Sequence, residues 1–124
     1  MEARVQVVKD IYSVELVGRI GFDMIDAFRK VCLEKWIRHK VIFDLQKLSF
    51  VGSHGIADFV SALEELSKNE ETKIKFCGVG SEFKKIFLAS EIQNLEFYDG
   101  VDRAVQSFQE VPQIIIESSP VESF

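Results

Sequence analysis

Histidine is scarce in this 124-residue chain, at two residues, His39 and His54. Each lacks a neighbouring second ligand, so a metal centre is not expected. Nor does the adjacency of Ser53 and His54 make a catalytic dyad, because a general base must reach the nucleophile's hydroxyl and be oriented by a third group. No catalytic residue, cofactor or enzymatic activity is therefore expected. Cysteine is equally sparse; Cys32 and Cys77 lack the close spacing of a zinc or redox motif and read as reduced core residues. No apolar segment approaches the roughly 18 residues of a membrane span. Met1-Glu2-Ala3-Arg4-Val5 has neither the basic region nor the apolar stretch of a signal peptide, and the expected location is the cytoplasm. An excess of basic residues is missing as well. Fifteen Lys and Arg against 20 Asp and Glu give a formal charge of -5, which disfavours nucleic acid and anionic membrane as partners, since both require clustered cations. A basic or neutral protein is easier to accommodate.

Apolar material is plentiful. Hydrophobic residues make up 47% of the chain, 11 of them Phe, enough for one well-filled domain. Arg4 to Val8 and Tyr12 to Val17 alternate as two strands joined by a turn at Lys9-Asp10. From Phe22 to about Arg38, Ile25, Phe28, Cys32 and Trp36 share one helical face, and Phe28 and Trp36 are read as core. Val41 to Leu45 is nearly unbroken apolar sequence, the mark of a strand covered on both faces. Ile56, Phe59, Val60, Leu63 and Leu66 recur at spacings of three and four and predict the clearest helix. Thr72 to Cys77 predicts a strand, Ser81 to Ala89 a helix capped by Ser81, Leu95 to Tyr98 a last strand, and Val101 to Phe108 a helix capped by Asp99. Helical crossovers between strands imply a parallel arrangement in an α/β or α+β sandwich, with helices on at least one face. The domain is placed at residues 1–110. A C-terminal tail is placed at 111–124, where Ile114, Ile115 and Ile116 are apolar enough to pack either on the domain or on a second subunit.

The stretch from Val41 to Ile56 carries most of the functional information. An apolar run ends in the small-residue turn Gly52-Ser53-His54-Gly55, which opens the helix beginning near Ile56. Ser53 thus stands at a helix N-terminus, where unpaired N–H groups and the helix dipole favour negative charge. Two readings stand for it: a phosphorylatable switch, or a turn and N-cap residue. His54 reads as a polar loop residue that gains charge below about pH 6.5. Cys77-Gly78-Val79-Gly80-Ser81 reads either as a phosphate cradle or as a plain turn with a serine cap, and it lacks the lysine of a nucleotide loop.

Phe50-Val51-Gly52-Ser53-His54-Gly55-Ile56 resembles the core of the STAS domain, the fold of bacterial anti-sigma factor antagonists, in which a strand leads through Asp-Ser-Ser-Gly or Asp-Ser-Thr-Gly into a helix. Ser53 matches the phosphorylated position and Gly55 the glycine. Gly52 replaces the usual aspartate and His54 the usual second serine or threonine. Leu16-Val17-Gly18-Arg19-Ile20, Lys73-Ile74-Lys75-Phe76-Cys77-Gly78 and Phe83-Lys84-Lys85-Ile86-Phe87-Leu88 resemble further elements of the family, so the likeness runs from about Val5 to Phe108. It implies a single STAS-like α/β domain, a mixed central sheet of about five strands with about four helices. It further implies a phosphoprotein of transcription regulation that works by partner switching. Such a protein binds an anti-sigma factor or related serine kinase through Gly52, Ser53, His54, Gly55 and Ile56, and phosphorylation at Ser53 controls the binding. The same resemblance admits an unphosphorylated accessory or scaffold subunit of a regulatory or transport assembly.

Overall fold

Two strands at the N-terminus are held together by the turn at Lys9-Asp10, where Lys9 adopts a left-handed φ of 60°. In the computed structural model, β1 (Glu2–Val8) pairs antiparallel with β2 (Ile11–Ile20), with Val8 opposite Ile11 and Glu2 opposite Val17. The backbone is described for residues 1–50 and 52–118. The side chains of Phe22, Phe50, 52–54 and 110–118 lie outside the described residues. Every residue of β1 is exposed, as expected of an edge strand.

All other pairings are parallel. β3 (Lys40–Asp44) lies beside β2, and β5 (Lys73–Cys77) beside β3, with β6 (Phe97–Tyr98) beyond it. A sixth strand, β4 (Leu48–Phe50), pairs with the distal half of β2 at Gly18, Arg19 and Ile20. The sequence reading of about five strands did not separate it from the run before it. The turn that separates it is closed by the Leu48 N–H donating to the Leu45 carbonyl at 3.2 Å. β2 is long enough to pair with β3 near its start and with β4 near its end, which gives the strand order β1-β2-β3-β5-β6 with β4 branching from β2.

Helices cover both faces. The region expected as one helix from Phe22 is a 3₁₀ turn (Phe22–Met24), α1 (Ile25–Val31) and a π turn (Cys32–Trp36), ending before Arg38 at φ 69°. Cys32 and Trp36, four residues apart and on one face as expected from sequence, are both buried through the π turn. α2 (Gly52–Ser67) follows β4, and α3 (Ser81–Leu88) follows β5. These helices share one core with the sheet, in which Phe28, Trp36, Phe43, Phe59, Phe76 and Phe87 pack in T-shaped, tilted and stacked pairs at centroid separations of 5.0 to 6.5 Å. Burial of such rings is the main stabilising contribution to a domain of this size. The other face is covered by α4 (Val101–Ser118), whose Ala104 and Phe108 pack on Ile11, Ile42 and Cys77. Alternation within β3 explains its uniform apolarity: Val41 and Phe43 enter the aromatic core while Ile42 meets α4.

Several boundaries differ from the sequence reading. Gly80, in extended conformation, occupies the N-cap of α3, and no side chain caps it; Ser81 is the first helical residue. The Ala104 N–H reaches the Gly100 carbonyl at 3.2 Å, which puts Gly100, not Asp99, at the cap position of α4. The last strand shortens from four residues to two because Asn94 turns the chain with a φ of 56° just before it. α4 continues through 111–118, where a tail is expected from sequence. The packing of Ile114, Ile115 and Ile116 lies outside the described residues.

Candidate functional site

The edge of the sheet where the parallel strands end is assembled from three close approaches. The first joins β2 to β4. The Gly18 N–H donates to the Lys47 carbonyl at 3.0 Å, and the Ser49 hydroxyl donates to the Gly18 carbonyl at 3.3 Å. The second seats α2 on that platform. Gly55 is buried in the first turns of the helix, and a Cβ there would lie 3.2 Å from the Ile20 carbonyl oxygen, so the glycine lets helix backbone approach strand backbone. Ile56, half-buried, packs onto the aromatic core one residue later.

The backbone of Ser53 therefore belongs to the first turn of α2, immediately after β4. Helix N-terminal N–H groups at that position attract negative charge. The side chains of Ser53 and His54 lie outside the described residues, as does any contact of Gly52. Among the expected partner-binding residues, the described structure thus locates Gly55 and Ile56 by their packing and Gly52, Ser53 and His54 by the helix they open.

His39 is at the other edge. It stacks on Tyr12 with ring centroids 4.7 Å apart, and its carbonyl accepts the Lys73 N–H at 3.0 Å where β3 and β5 begin. The two histidines thus belong to opposite ends of the parallel strands. Among the described residues, no group of three or more His, Cys, Asp or Glu is placed to hold a metal ion. Both cysteines are buried and free, and burial pushes the Cys32 and Cys77 thiols up to about 12.

The third approach closes the turn after β5. Gly78 has a φ of 69°, and a Cβ on it would lie 2.8 Å from the Asp44 carboxylate oxygen, 2.8 Å from the Gln46 Cβ and 2.9 Å from the Gln46 nitrogen. That same carboxylate oxygen accepts the Gln46 N–H at 3.1 Å. A carboxylate against this turn opposes a phosphate. Of the two readings of Cys77 to Ser81, the geometry favours the turn, without the serine cap.

α2 is also tied at its C-terminal end. Arg29 of α1 meets Glu65 at 2.6 Å, and the Glu64 carboxylate and Ser67 hydroxyl accept the Glu91 and Gln93 N–H groups at 2.7 and 3.2 Å. The helix that carries the candidate serine in its first turn is thus held on both flanks at its opposite end. Sequence reasoning missed Asp44 and Gln46 as the support of this edge. Their signal, an Asp two residues before a Gln at a strand end, is an ordinary turn pattern. No helix among the described residues is long and apolar enough to cross a membrane.

Comparison with known proteins matches this architecture. No curated protein matches the chain. Among solved structures, an anti-sigma factor antagonist from Mycobacterium paratuberculosis superposes with a TM-score of 0.64 at 19% identity, over 87% of this chain and 93% of that one. The phosphorylated form of the Bacillus cell fate determinant SpoIIAA gives a TM-score of 0.59 at 13% identity, over 86% and 99%. The murine Slc26a9 anion transporter gives a TM-score of 0.64 at 16% identity, over 85% of this chain but 18% of the transporter. At these identities the likeness establishes the fold. The family model described as the STAS domain matches residues 2–107, which takes in every strand, the first three helices and the start of α4, and the chain belongs to the STAS domain family.

Proposed function

We propose that this protein is a partner-switching regulator of the anti-sigma factor antagonist kind. It binds an anti-sigma factor or a related serine kinase through Gly52, Ser53, His54, Gly55 and Ile56, and phosphorylation of Ser53 releases the partner. The observation that carries this reading is the seating of Gly55 against the Ile20 carbonyl, because it holds the first turn of α2, and with it the Ser53 backbone, at the rim of the sheet. Support also comes from the fold shared with anti-sigma factor antagonists, one of them in a phosphorylated form.

The physical basis of the switch is local. Gly52 has no Cβ to obstruct a partner, which favours close approach at the start of the helix. A phosphoryl group on Ser53 adds about -1.5 to -2 charge at pH 7, which the helix N-terminus stabilises in the free protein. Within the complex the same charge meets desolvation and repulsion. A coupling of about 1 to 3 kcal/mol, or about 5- to 150-fold in affinity, suffices. In this reading the protein acts in the cytoplasm, in transcription regulation, without catalysis of its own.

A second reading is favoured by the superposition on part of an anion transporter: a constitutive STAS accessory subunit that uses the same surface without phosphorylation. Gly52 and His54, which replace the family's usual residues, fit that reading equally well. Affinity capture from native cells with wild type and Ser53→Asp in parallel, with mass spectrometry of the partners and of Ser53, separates the two. Capture of an ATP-binding regulator by wild type and its loss in Ser53→Asp supports the switch. Equal capture by both, with Ser53 unmodified, leaves the constitutive module.

A further inference from the structure

A cleft of about 350 Å³ opens on the α4 side of the sheet, at the edge where the parallel strands begin. Lys40 and Lys73, cross-strand partners at the starts of β3 and β5, stand at its rim, and Lys75 lies two residues farther along β5 on the same face. Ser107 and Phe108 of α4 form one wall, and Glu96, just before β6, belongs to the other. In a chain of net charge -5 this is a local gathering of cations. Lys40 is held by Asp10 at 3.0 Å and the exposed Lys73 ammonium donates to the Glu70 carbonyl at 3.1 Å, while Lys75 lies 3.6 Å from the Glu96 carboxylate.

Lys75 is the unusual member. It is 9% exposed, and its ammonium lies 4.2 Å from the Phe108 ring centroid and 5.4 Å from that of Tyr98. An ammonium carries three N–H donors. One goes to the Ser107 hydroxyl at 2.6 Å, and that hydroxyl donates in turn to the Ala104 carbonyl at 2.8 Å. The Glu96 carboxylate is 3.6 Å away, within ion-pair distance but too far for a hydrogen bond, and its nearer oxygen already accepts the Tyr98 hydroxyl at 2.6 Å. Among the described residues, then, one hydrogen-bond acceptor is placed for the ammonium's three donors, and Lys75 lines a cleft that has Phe108 in its wall. Burying a charge with incomplete hydrogen bonding is costly, and an arriving anion relieves that cost while its apolar part covers Phe108. The volume is at the lower end of the range that holds small organic ligands.

We propose that this cleft binds a small organic anion, with a phosphate or carboxylate head on Lys75 and Lys73 and a short apolar or aromatic body against Phe108. The site goes beyond the switch reading and does not depend on it. Ser67, which also lines the cleft, is at the far end of α2, about 21 Å along the helix from Ser53.

The test is an NMR titration of the isotope-labelled full chain with phenyl phosphate and benzoate, and with inorganic phosphate and benzyl alcohol as probes of head and body alone. Saturable shifts of the Ile74, Lys75 and Ser107 amide signals are expected, with an affinity at least tenfold above that of either partial probe. The stronger of phenyl phosphate and benzoate identifies the head group. Lys75→Met is expected to weaken binding at least tenfold and Lys73→Gln about threefold. Non-saturating shifts scattered over surface lysines overturn the site, as does unchanged affinity in a folded Lys75→Met. If Lys75→Met does not fold, Lys73→Gln decides at its exposed rim position: a threefold loss supports the site and wild-type affinity overturns it.

Discussion

The carbonyl oxygen of Ile20 stands 3.2 Å from the point where a Cβ on Gly55 would sit, and strand and helix backbones meet there with no side chain between them. Ile20 is itself bridged to Phe50, so its carbonyl is not free to retreat. This approach sets where α2 begins relative to the sheet.

Substitution at Gly55 reads that constraint directly. Gly55→Ala gains about 1 kcal/mol of helix propensity and loses a comparable amount to crowding, so its stability is expected within about 1 kcal/mol of wild type. Gly55→Val adds a Cβ carrying two methyl groups and loses about 2 kcal/mol or more by the same overpacking. Urea unfolding measures both. A Gly55→Val protein as stable as wild type would mean that the approach imposes no constraint.

Gly78 combines two penalties. Its φ of 69° is unfavourable for a residue with a Cβ, and that Cβ would meet Asp44 and Gln46 at under 3 Å. Gly78→Ala is expected to cost about 2 to 4 kcal/mol, from about 1 for the left-handed backbone and about 1 to 3 for overpacking. A stabilised or neutral Gly78→Ala in thermal unfolding contradicts this account of the turn.

The thiols of Cys32 and Cys77 are buried, and burial raises both to about 12 from an ordinary value of 9.0. In the folded protein they are expected to resist a disulfide reagent at mildly alkaline pH and to react promptly in denaturant. Linkage fixes the sign with pH. Above about 9 the unfolded chain releases thiol protons that the folded chain retains, so stability is fully present below that value and declines as pH rises toward 12. Replacing both cysteines by Ala should flatten the alkaline limb of a stability–pH curve; a limb of unchanged slope would assign it to other groups.

Arg29 and Glu65 join α1 to α2 at 2.6 Å, with side chains 35% and 44% exposed. At that exposure a double-mutant cycle is expected to give about 0.2 to 1 kcal/mol of coupling, falling with added salt. A coupling above about 3 kcal/mol would place the pair in a far less screened setting than its exposure indicates.

Much of the scaffold is legible in the chain. The spacing of Ile56, Phe59, Val60, Leu63 and Leu66 leaves α2 no alternative, because one face must be buried. The unbroken Val41-Ile42-Phe43 run announces a strand covered twice, and the structure supplies both covers. The N-termini of α3 and α4 are less legible. Ser81 and Asp99 are good cap residues, yet the caps fall at Gly80 and Gly100, because cap position depends on where the chain leaves the strand as well as on side-chain preference.

The candidate serine was found through local pattern and resemblance, both properties of contiguous sequence. Lys75 was not. In Lys73-Ile74-Lys75-Phe76 the alternation says only that the two lysines share a face, and lysines on a shared face usually meet water. α4, about 30 residues later in the chain, brings Ser107 and Phe108 over Lys75 and makes that face an interior.

Sequence by itself determined the periodicities, and hence five of the six strands and the order of the helical regions, since each follows from which side chains must avoid water over a few residues. The tertiary structure alone decided which backbones meet at Ile20 and Gly55, which carboxylate supports Gly78, and which lysine is buried. Those outcomes depend on distances between segments far apart in the chain, set by how the helices pack on the twisted sheet and encoded in no short stretch of residues.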